Sequence, residues 1–265
     1  MDKRGNYFCA GPWRPHGYGI SDITALNSRT YKLLNRNMGK ALHRYRMISH
    51  GDRIAVGISG GKDSWSLFWL LHTLQERAPV QFTLFPIYID PGFQGGPADA
   101  IASVGHTMGY AVHVEHTDHG IVAHSDRNRE NPCFLCSRLR RKRLFEKARE
   151  LDCGKLALAH NKDDIIETLF LNILYAGEIS TMLPFQPFFG GLLTVIRPLA
   201  YADEDALARL AEQMGWPVKD NPCPSAGRTK RAEIKEMLHR LYRRNKKIKG
   251  NIFRAMRHVR PEYLL

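Results

Sequence analysis

The chain has 265 residues, with 39 Lys and Arg against 26 Asp and Glu, which gives a net charge of +13. Its hydrophobic content of 43% is ordinary for a folded protein and argues against wholesale disorder. No stretch approaches the roughly 18 apolar residues of a membrane helix, and residues 1–20 lack the apolar segment of a secretory signal. We therefore expect a cytoplasmic protein without a membrane partner. The positive charge favours a polyanion, nucleic acid foremost.

The apolar pattern predicts alternating helices and strands. An irregular leader rich in Gly, Pro and aromatic residues at 1–24 precedes a basic amphipathic helix at 29–48. Short apolar runs then predict strands at 53–58, 81–90, 110–115, 155–159 and 192–196, with helices at 65–75, 98–108, 136–151 and 163–175 between them. Such alternation is typical of parallel βαβ units, which bind ligands at the carboxyl ends of their strands. A helix at 203–214, a proline-rich loop at 217–227 and a basic helical tail at 229–260 follow.

A glycine-rich turn separates the first predicted strand from its helix. It consists of Ser59, Gly60, Gly61, Lys62, Asp63 and Ser64. Backbone N–H groups at such a turn can hold a phosphate, and Lys62 can neutralise its charge. The spacing is neither that of a Walker A loop nor that of a dinucleotide fingerprint. Asp63 would repel phosphates unless Mg²⁺ lies between them or the carboxylate caps the helix.

Three of the five cysteines form a candidate metal site. An odd count without a secretory signal argues against a disulfide framework. Cys133 and Cys136 form a C-x-x-C loop before a helix, which suits a redox pair, half of a zinc site or part of an iron–sulfur site. With Cys223, three thiolates could hold a cubane cluster and leave one iron open, and a Cys₃His zinc site is the competing interpretation. Cys9 and Cys153 belong to no motif.

A second polar cluster follows the strand predicted at 155–159. His160, Asp163, Asp164 and Glu167 lie where that strand ends and a helix begins. The acidic residues would stabilise the helix N-terminus. At the carboxyl edge of the sheet they could also bind Mg²⁺ or act as a base.

These motifs together resemble a known family. The turn at 59–64 resembles the PP-loop of the N-type ATP pyrophosphatases, which adenylate a carbonyl oxygen that a nucleophile then displaces. Within that superfamily, five runs look like the tRNA 2-thiocytidine synthetase family, also called tRNA-cytidine 2-sulfurtransferases: residues 90–93, 135–141, 160–164, 168–172 and 196–201. The similarity extends from about residue 27 to the end of the chain.

The resemblance implies an α/β fold with a doubly wound parallel sheet, similar to the adenine nucleotide alpha hydrolases, and basic N- and C-terminal helices. It divides the chain into a leader at 1–24, a basic helix at 25–50, a PP-loop ATP pyrophosphatase domain at 51–202 and a helical extension at 203–265. The implied reaction replaces the C2 oxygen of an anticodon-loop cytidine with sulfur, at the expense of ATP cleaved to AMP and pyrophosphate.

It also implies the site and the partners. ATP and Mg²⁺ would bind the six residues of the glycine-rich turn together with Asp90 and His160, with Asp63, Asp163 and Asp164 as catalytic residues. Cys133, Cys136 and Cys223 would hold a [4Fe–4S] cluster. The partners would be tRNA, a sulfur donor such as a cysteine desulfurase, and a second copy of the chain in a homodimer.

Three other functions remain open from the sequence. His160 is followed by Asn161, as in thiouridine-forming relatives, so a 2-thiouridine synthetase is one alternative. A lysidine-synthetase-like ligase would use the same adenylation without a cluster. A nucleotide-regulated iron–sulfur binding protein would bind ATP without releasing pyrophosphate.

Overall fold

The computed structural model describes residues 26–216, 223–225 and 229–263. The predicted leader at 1–24, Cys9 and most of the loop predicted at 217–227 lie outside the described residues. None of the described helices is long and apolar enough to cross a membrane.

Six strands form one sheet in the order β3-β2-β1-β4-β6-β5. The strands are β1 Asp52–Ile58, β2 Phe82–Asp90, β3 His113–His116, β4 Lys155–Ala157, β5 Phe185–Phe188 and β6 Leu193–Ile196. All neighbouring pairs are parallel except β5 and β6, which are antiparallel. The predicted α/β fold with a doubly wound, mainly parallel sheet is confirmed.

The described residues form nine α-helices. They are α1 Arg29–Arg44, α2 Lys62–Gln75, α3 Ala98–Thr107, α4 His119–Ala123, α5 Pro132–Glu150, α6 Lys162–Leu171, α7 Glu204–Met214, α8 Lys230–Arg244 and α9 Lys247–Ala255. A π-helix at Asn172–Ala176 extends α6.

The strands bury alternate side chains in two cores on opposite faces of the sheet. Ile54 and Val56 of β1 lie in a core with α1, α2 and α7, whereas Ala55 between them faces the core under α5. A third cluster joins Ile166 of α6 to Ile234 and Leu238 of α8, and the partly buried Ile252 and Phe253 of α9 pack against it. Helices α8 and α9 therefore pack against α6, which connects them to the sheet.

Several predicted boundaries were wrong for local reasons. The C-x-x-C lies inside the first turn of α5, not in a loop before it, because Asn131 caps the helix and Pro132 occupies its first position. The predicted tail helix at 229–260 is two helices, since Asn245 adopts an extended conformation between them. The helix predicted to Tyr175 changes to a π-helix after Leu171. Strand β5 was not predicted, and its Pro187 is tolerated because β5 lies at the sheet edge.

Candidate active site

The polar residues picked out by sequence lie along the carboxyl edge of the sheet. Ser59 follows β1, Asp90 ends β2 and His160 follows β4. Because these three strands are neighbours and parallel, their carboxyl ends meet at one edge. The N-termini of the helices that follow them begin at the same edge, which is where open α/β sheets bind ligands.

The glycine-rich turn is held by its own two serines. The Ser59 amide donates to Ser64 Oγ over 3.1 Å, and Ser64 Oγ donates to the Gly61 carbonyl over 2.8 Å. Gly60 has a φ of +81°, and a Cβ there would lie 3.2 Å from Ile101, so glycine is required. Gly61 is the N-cap of α2 and supplies no side-chain hydrogen bond. The first turn of α2 therefore presents backbone N–H groups to the edge of the sheet, a geometry suited to an anion.

Lys62 is paired with two carboxylates. Its Nζ lies 3.0 Å from Glu204 Oε1 and 3.5 Å from Asp63 Oδ1. Burial lowers the pKa of Lys62, but the negative charges of Asp63 and Glu204 outweigh it and leave that pKa above its ordinary value. The ammonium is therefore charged and already has partners before any phosphate arrives.

Asp63 has one oxygen that accepts no hydrogen bond from the described residues. Asn161 Nδ2 donates to its Oδ2 over 3.2 Å. Its Oδ1 is buried without a hydrogen bond, although Lys62 stands at ion-pair distance. Burial raises the pKa of Asp63 to about 6, and the charge of Lys62 opposes the rise. A buried carboxylate oxygen without a hydrogen bond suits a cation that is shared with phosphates.

Asp163 and Asp164 are both committed to contacts within the protein. Asp163 Oδ2 accepts the Glu204 amide over 2.8 Å and its Oδ1 lies 2.6 Å from Lys249 Nζ. Asp164 Oδ2 accepts the Asn161 amide over 2.9 Å in a capping box, and its Oδ1 lies 3.2 Å from Arg231. Burial raises the pKa of Asp164 above its ordinary value. The two carboxylates fix how α6 meets the C-terminal helices.

His160 is neutral and oriented by an arginine. Arg197 Nε donates to His160 Nδ1 over 3.3 Å, and Arg197 also donates to the Leu183 carbonyl. Burial, followed by the positive charge of Arg197, lowers the pKa of His160 to about 3. Burial also lowers the pKa of Arg197 to about 10. The imidazole is therefore an uncharged side chain at physiological pH.

Asp90 forms a tight turn at the end of β2. Its Oδ1 accepts the Gly92 amide over 3.0 Å, and His116 Nδ1 donates to its Oδ2 over 2.9 Å. A Cβ on Gly92 would lie 2.4 Å from the Thr117 carbonyl, so this turn requires glycine. Asp90 thus shapes the edge between β2 and β3.

Two of the three predicted cluster ligands, Cys133 and Cys136, lie in the first turn of α5. Burial raises the pKa of the Cys136 thiol, and the positive charge of Arg140 opposes the rise. The third, Cys223, lies in the described segment 223–225. Within residues 26–216, 223–225 and 229–263, no group of three or more His, Cys, Asp or Glu is arranged to hold a metal ion directly. Cys153 is buried in the core under α5, away from the motif.

The structure adds a histidine that the sequence did not indicate. His124 donates from Nδ1 to the Gly120 carbonyl over 2.9 Å, so in the neutral ring Nε2 is an acceptor. That Nε2 lies 2.9 Å from Ser225 Oγ and 3.7 Å from Cys223 Sγ. His124 thereby connects α4 to the segment that carries the third cysteine.

Four charged residues of α7, α8 and α9 were also missed. Glu204, Arg231, Lys235 and Lys249 pair with the turn or with the acidic start of α6. Only the acidic run at 203–205 was visible in the sequence, where it indicates a helix N-terminus. Nothing local indicates that its partner is Lys62, 142 positions away.

Comparisons with known proteins agree with this arrangement. A PP-loop domain model matches residues 30–241. A tRNA-cytidine(32) 2-sulfurtransferase of Geotalea daltonii is 42% identical over 247 residues, 92% of this chain and 98% of that protein. The protein of the same name from Geobacter sulfurreducens is 40% identical over 238 residues, 89% of this chain and 93% of that protein.

Two solved structures share the fold. A U34-tRNA thiolase, NcsA from Methanococcus maripaludis, solved with its [4Fe-4S] cluster, has a TM-score of 0.73 at 25% identity, over 89% of this chain and 80% of that one. An NH₃-dependent NAD synthetase from Campylobacter jejuni has a TM-score of 0.50 at 11% identity, over 89% and 90% of the two chains. From the sheet edge, the glycine-rich turn and these similarities, the chain belongs to the PP-loop domain family and, within it, to the tRNA-cytidine(32) 2-sulfurtransferases.

Proposed function

We propose that this protein is an ATP-dependent tRNA thiolase that converts a cytidine of the anticodon loop into 2-thiocytidine. The observation that carries the proposal is the glycine-rich turn at the N-terminus of α2, in a chain that also contains Cys133, Cys136 and Cys223 and is 42% identical to a tRNA-cytidine(32) 2-sulfurtransferase. Cytidine is favoured over uridine because relatives named tRNA-cytidine(32) 2-sulfurtransferase are 37–42% identical, against 25% for the U34-tRNA thiolase.

The first half of the reaction is the activation of the base. The cytidine O2 attacks the α-phosphorus of ATP, the bond to the β-phosphate breaks, and pyrophosphate leaves. The N-terminus of α2 and Lys62 offset the charge on the phosphates. The Asp63 oxygen that lacks a hydrogen bond would help to hold Mg²⁺, which would supply charge stabilisation to the phosphates.

The second half exchanges oxygen for sulfur. A sulfide attacks C2, and the former O2 departs with the adenylate as AMP, so no external oxidant or reductant is needed at this step. Cys133, Cys136 and Cys223 would hold a [4Fe–4S] cluster, which when bound supplies an iron that is open to sulfide. The donor chemistry suits such a cluster, because thiolates are the usual ligands of its irons and Cys133 and Cys136 lie in one helical turn.

The acidic residues of α6 would support this chemistry by holding the site in place. Asp163 holds the first amide of α7, and Asp164 completes the cap of its own helix. His160 would form an uncharged wall of the nucleotide pocket beside the glycine-rich turn, and Asp90 would shape the pocket edge.

The target base must be unstacked to reach the turn, which a loop nucleotide allows more readily than a stem nucleotide. Exposed basic residues of α8 and α9 would bind the tRNA backbone. A cysteine desulfurase would be one source of the sulfur, and a homodimer would be the assembly.

The cysteine assignment is tested by anaerobic purification with iron and sulfide analysis. Each of the substitutions Cys133→Ser, Cys136→Ser and Cys223→Ser should abolish iron binding and thiolation, while nucleotide binding persists. The matched control is Cys153→Ala, which should retain iron because Cys153 belongs to the apolar core.

The same experiment separates the alternatives. An iron-free wild-type protein with full thiolation activity would contradict the cluster assignment. A lysidine-type ligase would add an amine to tRNA without iron, and a regulatory binding protein would bind ATP without releasing pyrophosphate.

A further inference from the structure

Glu204 lies between the proposed ATP site and the basic C-terminal helix α8. It is the first residue of α7, and its carboxylate is one-fifth exposed. Oε1 lies 3.0 Å from Lys62 Nζ in the glycine-rich turn, and Oε2 lies 2.7 Å from Lys235 Nζ on α8. One carboxylate is therefore shared by two ammonium groups, one from the glycine-rich turn and one from α8.

The shared carboxylate competes with any phosphate for Lys62. The ammonium of Lys62 already contacts Glu204 and Asp63, so a phosphate that recruits it must draw it from these carboxylates. Partly buried ion pairs are costly to break when one partner is left without a counter-charge. Glu204 avoids that cost because Lys235 remains bound to it after Lys62 has moved.

We infer that Glu204 is a positioning residue that holds Lys62 while the nucleotide site is empty, and that Lys235 makes the release of Lys62 to phosphate possible. The inference rests on the proposed ATP site. Its consequence is that a residue of α8, a helix outside the sheet, sets the affinity of the glycine-rich turn for nucleotide.

The two partners of this contact give opposite effects on nucleotide affinity. Glu204→Gln removes the competing charge, so a non-hydrolysable ATP analogue with Mg²⁺ should bind about 3–10-fold more tightly. Lys235→Gln removes the second ammonium partner of Glu204. Glu204 then holds Lys62 more tightly, so the analogue should bind about 3–10-fold more weakly. The double variant should resemble Glu204→Gln, because Lys235 has no carboxylate left to hold.

Titration calorimetry on the full-length protein measures these affinities. Asp205→Asn is the matched control, since Asp205 lies in the same first turn of α7 but is exposed. It should bind the analogue like the wild type. Urea unfolding of each variant is measured in parallel, and Lys235→Arg should retain wild-type affinity.

A purely structural role for Glu204 would make both single variants bind more weakly, and that result would overturn the inference. Unchanged nucleotide affinity in Lys235→Gln would also overturn the inference. If Glu204→Gln does not fold, the Lys235→Gln measurement tests the inference by itself. Failure of the wild type to bind the analogue at all would instead contradict the proposed function.

Discussion

The carboxylates at the candidate site differ by the partners that each already has. Both oxygens of Asp163 and both of Asp164 already have partners, whereas Asp63 has an oxygen that accepts no hydrogen bond from the described residues. Asp63 is therefore the residue best suited to accept a cation when nucleotide binds. The sequence alone could not separate the three, because all follow strands and all begin helices.

A fourth carboxylate, Glu167, gives a pH dependence of stability. Burial raises its pKa from 4.5 to about 7, and the charge of Asp164 adds to the rise, although Arg231 lies 3.3 Å away. The folded protein holds the proton of Glu167 more tightly than the unfolded chain does. The free energy of unfolding is therefore highest below the unfolded-state pKa and falls as the pH rises through about 7.

We predict that Glu167→Gln removes this loss of stability at high pH. Between pH 5 and pH 8 the wild type should lose stability relative to the variant by at most ~3 kcal/mol, because the amide does not ionise. Urea unfolding at the two pH values measures the difference. Glu236→Gln, which changes an exposed carboxylate of α8, controls for net charge. A gap between wild type and Glu167→Gln that is the same at both pH values would refute the prediction.

At the scale of elements, the C-terminal helices are joined to the sheet domain by charge as well as by apolar packing. Lys249 of α9 lies 2.6 Å from Asp163 and 2.9 Å from Asp203, and its side chain is mostly buried. One ammonium thus connects α9 to the starts of α6 and α7.

Lys249→Met should therefore destabilise the protein by ~2–4 kcal/mol, because it leaves the buried Asp163 without its cation. Urea unfolding at pH 7 gives the value. Lys247→Met, an exposed position in the same helix, should cost little in comparison. Equal effects of the two substitutions would show that the ion pair contributes nothing specific.

The elements themselves were largely predictable, since their signals are local. The apolar run of β1 and the glycine-rich turn after it predict a strand and the N-terminus of a helix, and both are observed. Strand β5 was missed because it is short and contains Pro187, which are features typical of a loop. Its backbone is held in a strand by antiparallel pairing with β6, which the local sequence does not indicate. The contact between Lys62 and Glu204 could not be predicted from the sequence, because it depends on how α7 packs against α2.

At the scale of the whole molecule, the surplus of positive charge is only partly available to a partner. On α5, Arg143 and Lys147 both pair with Glu115 of β3, and Arg138 pairs with Glu130. On α8, by contrast, Arg243 and Arg244 are exposed at the end of the helix. The C-terminal helices therefore offer the stronger candidate surface for tRNA.

We predict that Arg243→Gln combined with Arg244→Gln weakens tRNA binding and makes it less sensitive to salt. Each lost phosphate contact should reduce the slope of log affinity against log salt by about 0.7–0.9. Filter binding over a range of salt concentrations measures the slope. Arg149→Gln with Arg209→Gln removes the same charge from α5 and α7, and an equal loss of slope in that control would mean that net charge alone attracts tRNA.

The central claim is that this chain makes 2-thiocytidine in tRNA. Mass spectrometry of tRNA nucleosides tests it most directly, in a strain that normally contains 2-thiocytidine and from which the gene has been deleted. We expect 2-thiocytidine to disappear on deletion and to return with the wild-type gene, but not with Asp63→Asn or Cys223→Ser. An unchanged level of 2-thiocytidine after deletion, or the loss of 2-thiouridine in its place, would contradict it.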